Sequence, residues 1–230
     1  MRRFALAFVA SLAAAPGTAV ETVRIISLPA RVSELDAKPV TDFARRPLGR
    51  VADVTLDLAN GRVRHVIVET PQGTRPVPFH IFTPALDGER LLLDASRERL
   101  ARAPEWTGGA EAYWSAPQPP RLGRSSALLG RPFRSADGDL GGTLADVVID
   151  AHEGNVVFAV VALGPGKLHP VPLRAFTLGD ELVLELDARS LERGRDLEMR
   201  ELEQRLTDAD FLEKTAAYAD RLAATASRRR

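Results

Sequence analysis

Two pairs of aspartates with matching spacing are the residues best placed to do chemistry. Asp57 follows Asp53 at the same distance along the chain as Asp150 follows Asp146. A catalytic pair of carboxylates needs one pKa raised by burial, and nothing in the sequence indicates that. Asp57 and Asp150 each precede a turn, where aspartate commonly accepts hydrogen bonds from its own backbone. Asp53 and Asp146 interrupt apolar strands, so they either face solvent or accept buried backbone hydrogen bonds, and we predict no catalytic residue.

Histidine is the other residue type that could bind a metal. The sequence contains no cysteine, which excludes thiol catalysis, disulfide exchange and cysteine-ligated zinc. Its four histidines are His65, His80, His152 and His169. No two of them have the short spacing of a helical metal pair. The run Asp137-Gly138-Asp139 begins like a calcium loop, but Val148 stands where that loop needs its bidentate glutamate. We therefore predict no metal site and no cofactor.

Aromatic residues in a segment of unusual composition are the predicted binding residues. Residues 104–124 are rich in Pro, Gly and Ala, which is typical of a linker. Trp106, Tyr113 and Trp114 lie in this segment. One interpretation is that the three rings pack the linker onto its neighbouring domains. The other is that they anchor a protein partner, because tryptophan and tyrosine dominate the hot spots of protein interfaces.

The charge balance argues against a nucleic-acid partner. Lys and Arg together number 31, and so do Asp and Glu, so the formal net charge is zero. Proteins that bind nucleic acids usually concentrate a basic excess on one face, and here the basic cluster is limited to the tail at 228–230. With 45% hydrophobic and 27% charged residues, most of the chain can bury a core.

The N-terminal residues have the layout of a secretory signal peptide. Arg2 and Arg3 precede an apolar run over residues 4–15, and small residues follow up to Ala19. This order predicts a signal peptide over residues 1–19 and a periplasmic or secreted protein. The alternative is a buried N-terminal helix. The apolar run is too short to cross a bilayer core of about 30 Å, so we expect no stable membrane insertion after cleavage.

The sequence contains an internal repeat. At an offset of 93 residues, Ala52-Asp53-Val54 aligns with Ala145-Asp146-Val147. One extra residue in the second copy raises the offset to 94, and Pro76-Val77-Pro78 then aligns with Pro170-Val171-Pro172. Because glycines, prolines and aspartates stay in step along the alignment, the sequence predicts two copies of one domain.

Each copy has the pattern of a small β domain. In the first, Arg50–Leu58 and Val63–Glu69 are apolar strands around Asn60-Gly61, a strong hairpin signal. Several short strands suit a small closed barrel. We therefore predict an all-β fold with a helical C-terminus, in which residues 33–103 and 126–195 form two tandem small antiparallel β-barrels. A domain of this size is marginal alone, so the copies should pack on each other or on the flanking helix.

Residues 196–227 have the pattern of an amphipathic helical segment. Apolar residues recur at intervals of three or four from Met199 to Ala223, with charged residues elsewhere. Thr207-Asp208-Ala209-Asp210 resembles a capping box, which favours two helices that meet near Thr207. The outer face mixes both charge signs, unlike that of a helix on a membrane surface. We expect the apolar stripe to pack on the second barrel.

The second copy resembles PRC-barrel domains. Residues 126–133 and the later strand Asp146-Val147-Val148-Ile149-Asp150 look like the opening of such a domain. Residues 167–173 resemble the family's K-x-x-P-V-P-aromatic strand, with Leu173 in place of the aromatic residue. The first copy resembles the family less closely, because Asp36-Ala37 stands where Leu-Gly is expected. The resemblance implies a small β-barrel in each copy.

The resemblance also implies a function without catalysis. PRC-barrel domains occur in the H subunit of bacterial photosynthetic reaction centres and in a ribosome maturation factor, where they are adaptor or assembly modules. We therefore predict an exported, non-enzymatic binding or scaffolding protein that presents its barrels to a protein partner. The alternative is a small-ligand or metal-ion binder that uses a cleft between the two barrels, because domain interfaces favour such clefts.

Overall fold

The computed structural model of the chain describes residues 28–85, 88–106, 122–192, 194 and 196–227. The predicted signal peptide at residues 1–19 lies outside the described residues. So does most of the predicted linker, including Tyr113 and Trp114. Strands are the commonest regular elements of the described residues, and the last described elements are helices. The fold is therefore mostly β with a helical C-terminus, as predicted.

The first half, residues 28–106, contains seven strands and one helix. They are β1 (Pro29–Arg31), β2 (Pro39–Thr41), β3 (Pro47–Asp57), β4 (Arg62–Thr70), β5 (Gly73–Pro78), β6 (Phe82–Pro84), β7 (Leu91–Leu93) and α1 (Arg97–Ala101). From β5 the ladders run through β4, β3, β2 and β7 to β6. The sheet curls around apolar side chains that alternate along β3 and β4.

The second half, residues 122–192, contains elements of the same kinds. They are β8 (Leu122–Arg124), α2 (Ser125–Leu128), β9 (Pro132–Ser135), β10 (Gly141–Asp150), β11 (Asn155–Gly164), β12 (Lys167–Val171), β13 (Phe176–Leu178), β14 (Leu182–Leu184) and α3 (Ala188–Glu192). From β12 the ladders run through β11, β10, β9 and β14 to β13.

Two details of the sheet differ from the prediction of closed antiparallel barrels. The β2–β7 and β9–β14 ladders are parallel, because in each half a short hairpin brings the last strand back beside the second strand in the same direction. In the part of the chain that the structure describes, no ladder joins β5 to β6 or β12 to β13. Each half is thus a curled sheet, and barrel closure stays a prediction.

The first strand of each half pairs with the other half. β1 pairs with β10 through Pro29–Asp150 and its neighbours, and β8 pairs with β3 through Leu122–Asp57. The last residues of the predicted linker are therefore a strand. A further pair, Arg62 with Asn155, connects β4 to β11. All these strands belong to one sheet, so the two halves are interlocked by strand pairing as well as connected by the linker.

The repeated glycines near the start of the long strands permit close strand packing. A Cβ at Gly49 would lie 2.2 Å from the Glu69 carbonyl oxygen, and one at Gly142 would lie 2.3 Å from that of Ala162. Real side chains do not reach such distances, so only glycine fits where β3 crosses β4 and β10 crosses β11. The alignment of these two glycines in the repeat has this structural cause.

The C-terminal segment forms two helices on the outer face of the second half. They are α4 (Met199–Arg205) and α5 (Ala209–Ser227). The break near Thr207 was predicted, and Asp208 caps α5 by accepting from the Phe211 N–H at 3.1 Å. Leu202 and Phe211 are buried against β10 and β11, which confirms that the stripe packs on the second half. No described helix is long and apolar enough to span a membrane.

Candidate functional site

Asp53 on β3 accepts hydrogen bonds from the first residues of the second half. Its buried carboxylate accepts from the N–H groups of Val54 at 2.8 Å and Ser126 at 3.1 Å. It also accepts from the hydroxyls of Ser125 at 2.7 Å and Ser126 at 2.5 Å, and from Arg124 Nε at 2.7 Å. Burial alone would raise the pKa of Asp53, but the hydrogen bonds from Ser126, Ser125 and Arg124 together lower it.

Asp146 on β10 holds the beginning of the first half in the same way. It accepts from the Ser33 N–H at 3.2 Å, the Ser33 hydroxyl at 2.5 Å and the Val147 N–H at 2.8 Å. Arg31 Nη1 lies 4.0 Å from the same Asp146 oxygen that accepts from the Ser33 hydroxyl. Each half therefore supplies one aspartate that binds the N-terminal segment of the other half. This reciprocal arrangement is that of an isologous two-fold interface within one chain.

The surroundings of these aspartates make them structural acceptors. All the groups near Asp53 donate hydrogen bonds, so its carboxylate stays ionised and is not free to take a proton from a substrate. Asp57 and Asp150 accept from backbone N–H groups in their turns, those of Asn60 and His152, each at 3.0 Å. Both observations agree with the structural interpretation from the sequence. The partners of Asp53 were missed, although the aligned serines at 33 and 126 carried the signal.

The four histidines do not form one cluster. His65 and His80 lie near each other, and burial, followed by the charges of Arg64 and His80, lowers the pKa of His65. His65 is half-buried and lies 3.1 Å from the Thr55 hydroxyl, while His80 and His152 are exposed on turns. His169 is buried on β12, and its Nε2 lies 3.0 Å from an Asp196 carboxylate oxygen. Burial lowers the pKa of His169, and the nearby Asp196 carboxylate, which is exposed to water, raises it by less. Among the described residues no group of three or more His, Asp or Glu could hold a metal ion.

At the end of each half the chain pairs with the strand at the edge of that half, β5 in the first and β12 in the second. The Trp106 N–H donates to the Thr74 carbonyl on β5 at 2.9 Å. In the second half, Leu197 and Leu168 on β12 exchange two backbone hydrogen bonds at 2.7 and 3.2 Å. Trp106 and Leu197 follow their short helices, α1 and α3, at the same distance along the chain. The predicted binding residue Trp106 is therefore half-buried and fixed at the edge of the first sheet.

Matching ion pairs accompany the two return segments. In the first half Arg75 Nη1 lies 4.0 Å from a carboxylate oxygen of Glu105, the residue before Trp106. In the second half the His169–Asp196 pair occupies the equivalent place, just before Leu197. Arg75 and His169 align in the repeat, and both are buried. The return of the chain to the outer strand is thus a feature of both halves.

The outer faces of the two halves differ in polarity. In the second half, Val148, Phe158 and Val160 are fully buried against the C-terminal helices. The aligned positions of the first half carry Thr55, His65 and Ile67. The Thr55 hydroxyl hydrogen-bonds both the ring and the N–H of His65. Two of the three positions are therefore polar in the first half, where Thr55 and Ile67 are nonetheless as buried as their counterparts in the second half.

A cavity of about 260 Å³ lies where the two halves meet. Its walls come from the turn before β4, the start of β11, the turn after β12 and helix α5. The lining residues are Asn60, Gly61, Arg62, Asn155, Val156, Val157, Pro172, Leu173, Arg174 and Asp220. The sequence predicted a cleft between the copies as the alternative binding site, and this cavity is in that place.

Comparison with known proteins identifies the first half. The family model of the PRC-barrel domain matches residues 30–100. The chain carries a PRC-barrel domain. The match lies in the half that resembles the family less closely by sequence. PRC-barrel domains are generally binding domains without catalytic activity. None of the curated proteins compared with the chain matches it.

Proposed function

We propose that the chain is an exported, non-enzymatic binding or scaffolding protein in which two tandem PRC-barrel domains serve one protein partner. The partner binds the outer face of the first half together with the segment that begins at Trp106; we call this the partner face. The difference between the two outer faces carries the proposal. In the second half the segment that begins at Leu197 completes the core, and in the first half the segment that begins at Trp106 borders a polar face.

The repeated strand pairing supports two tandem domains. β2 to β7 and β9 to β14 pair in the same order, with one parallel ladder at the same place in each. Asp53 and Asp146 receive donors from aligned positions. A single domain of this size buries only about 60% of the surface of its unfolded chain. Interlocking two such domains increases the shared core and yields a rigid platform.

The sequence after Trp106 supports a partner at the first half. In the second half, the residues after Leu197 form helices that supply Leu202 and Phe211 to the core. The residues after Trp106 are rich in Pro, Gly and Ala and include Tyr113 and Trp114. Because tryptophan and tyrosine dominate the hot spots of protein interfaces, we infer that these aromatic residues anchor the partner.

The contacts of the buried aspartates support a binding function. Asp53 and Asp146 are held by donors at the interface between the halves. Equal numbers of acidic and basic residues favour a protein partner over a nucleic acid. PRC-barrel domains are generally binding domains. These observations support a scaffold whose specificity lies in its surface.

Affinity capture from a periplasmic extract tests the proposal. The tagged wild-type chain should retain one stoichiometric protein, and Trp106→Ala should weaken retention tenfold or more, about the cost of losing an interface hot spot. Phe43→Ala is the matched control, because Phe43 is a more exposed aromatic residue at 60% and lies on a distant turn. Unchanged retention by Trp106→Ala, with an unchanged melting temperature, would show that the partner binds elsewhere.

The alternative function, a small-ligand binder, is supported by the cavity at the junction. The cavity combines buried valines with exposed arginines, as ligand sites commonly combine apolar walls with a few polar groups. The metal-ion version of this alternative has less support, because the cavity contributes a single carboxylate, that of Asp220. Native mass spectrometry of protein purified from its own cell would show a bound small molecule directly.

A further inference from the structure

The junction between the two halves has one filled side and one open side. The Val63 N–H donates to Gly154 and the Val156 N–H donates to Gly61, each at 2.8 Å, so the junction is symmetric in its backbone. On one side the Phe79 ring packs on Gly154, where an added Cβ would lie 2.6 Å from a ring carbon. On the other side an added Cβ at Gly61 would meet no atom within 4 Å. The packing of the Phe79 ring on Gly154 therefore indicates that a ring of similar size fits at Gly61.

A single difference in the repeat accounts for the open side. Leu173 follows Pro172 as Phe79 follows Pro78, so the two residues align. Leucine lacks the ring that would reach Gly61, and the cavity of about 260 Å³ lies there. Leu173 and its neighbours on β11, Val156 and Val157, are buried and form an apolar floor.

The rim of the cavity carries one uncompensated positive charge. Arg174 Nη2 lies 2.9 Å from Asp220 Oδ1, so these two charges neutralise each other and tie α5 to the wall. Arg62 is exposed on the opposite wall, and its guanidinium makes no ion pair with any other residue that the structure describes. The side-chain amides of Asn60 and Asn155 complete the rim. An occupant should therefore be apolar at one end and anionic at the other.

We propose that this cavity binds a small aromatic carboxylate. Its ring would stack on Gly61, as the Phe79 ring packs on Gly154, and its carboxylate would pair with Arg62. Arginine forms two parallel hydrogen bonds with a carboxylate, which fixes the orientation of the ligand. An apolar cavity of about 150 Å³ is already large enough for benzene, so this one accommodates a ring with its carboxylate. The site is separate from the partner face and does not depend on it.

Binding of 4-fluorobenzoate, followed by fluorine NMR on the full chain, tests the proposal. We expect one site with a dissociation constant at or below about 1 mM. Leu173→Phe should fill the cavity, weaken binding at least tenfold, and leave the melting temperature equal or higher. Arg62→Gln should weaken 4-fluorobenzoate about tenfold but leave the neutral 4-fluorobenzamide unchanged. Arg189→Gln, which removes an exposed charge on α3, is the matched control and should bind like wild type.

Two results would overturn the assignment. One is no binding of 4-fluorobenzoate to the wild-type chain at millimolar concentration. The other is binding that Leu173→Phe and Arg62→Gln leave unchanged, because the ligand would then occupy another place. If Leu173→Phe does not fold, the Arg62→Gln comparison of the charged and neutral probes decides alone, since Arg62 is exposed and contributes little to the core.

Discussion

Replacing Asp53 should weaken both halves, although the residue belongs to the first. In Asp53→Ala the hydroxyl of Ser125 and the N–H of Ser126 lose their acceptor, while the Val54 N–H keeps the Ser125 hydroxyl at 3.2 Å. A buried donor left without a partner costs about 1–3 kcal/mol, and breaking a buried charged network costs roughly 3–5 kcal/mol. The Arg124 contact adds little, because its side chain is 42% exposed and screened by water. We expect the free energy of unfolding to fall by about 3–5 kcal/mol, a large part of the total for a domain.

Urea denaturation and amide hydrogen exchange measure this effect and its location. Asp53→Ala should increase exchange at residues 122–128 of the second half, and Asp146→Ala should do the same at residues 29–35 of the first. Asp139→Ala, in an exposed turn, is the control and should change stability by less than about 0.5 kcal/mol. A cost below about 1 kcal/mol for Asp53→Ala would refute the reasoning. So would faster exchange confined to β3 and β4.

Three further predictions concern the C-terminal helices, His169 and the N-terminus. Truncation before Asp196, or Leu202→Asp, should destabilise the second half by about 3 kcal/mol or more, because it exposes or charges the apolar face; the exposed Arg200→Asp should not. The pKa of His169 is lowered in the folded state, so its contribution to stability is complete above the unfolded value of about 6.5 and is lost as pH falls below it. Melting curves between neutral and mildly acidic pH should show this loss, and His169→Gln should reduce it; an equal loss in the variant would contradict the assignment. The exported protein should begin at Val20, and an intact 1–19 segment in periplasmic material would contradict export with cleavage.

The strands that dominate the fold were predictable because their signals are local. The Asn60-Gly61 turn and the flanking apolar runs predicted the β3–β4 hairpin. The alignment of glycines and prolines between the two copies predicted the equivalent β10–β11 hairpin. The C-terminal stripe likewise predicted two helices from its own spacing. Each of these features depends on residues that lie close together in the sequence.

The interlocking of the halves was not predictable, because it depends on distant residues. β1 and β8 are three residues long, too short for a periodic pattern, and each pairs with the half to which it does not belong. The Asp53–Ser126 contact spans 73 positions. From sequence alone, a polar residue within an apolar strand fits exposure and burial equally well. The Phe79 and Leu173 difference was visible in the repeat, but the sequence did not show that both residues face the junction.

Site-specific photo-crosslinking in living cells tests the central claim, that the first half presents the partner face. Gln72, in the exposed turn before β5, and Lys167, the exposed first residue of β12, are comparable positions in the two halves for a photoreactive amino acid. The account predicts that the probe at position 72 crosslinks one protein partner, whereas the probe at position 167 captures none. Crosslinking of that partner at position 167, with none at position 72, would contradict the account.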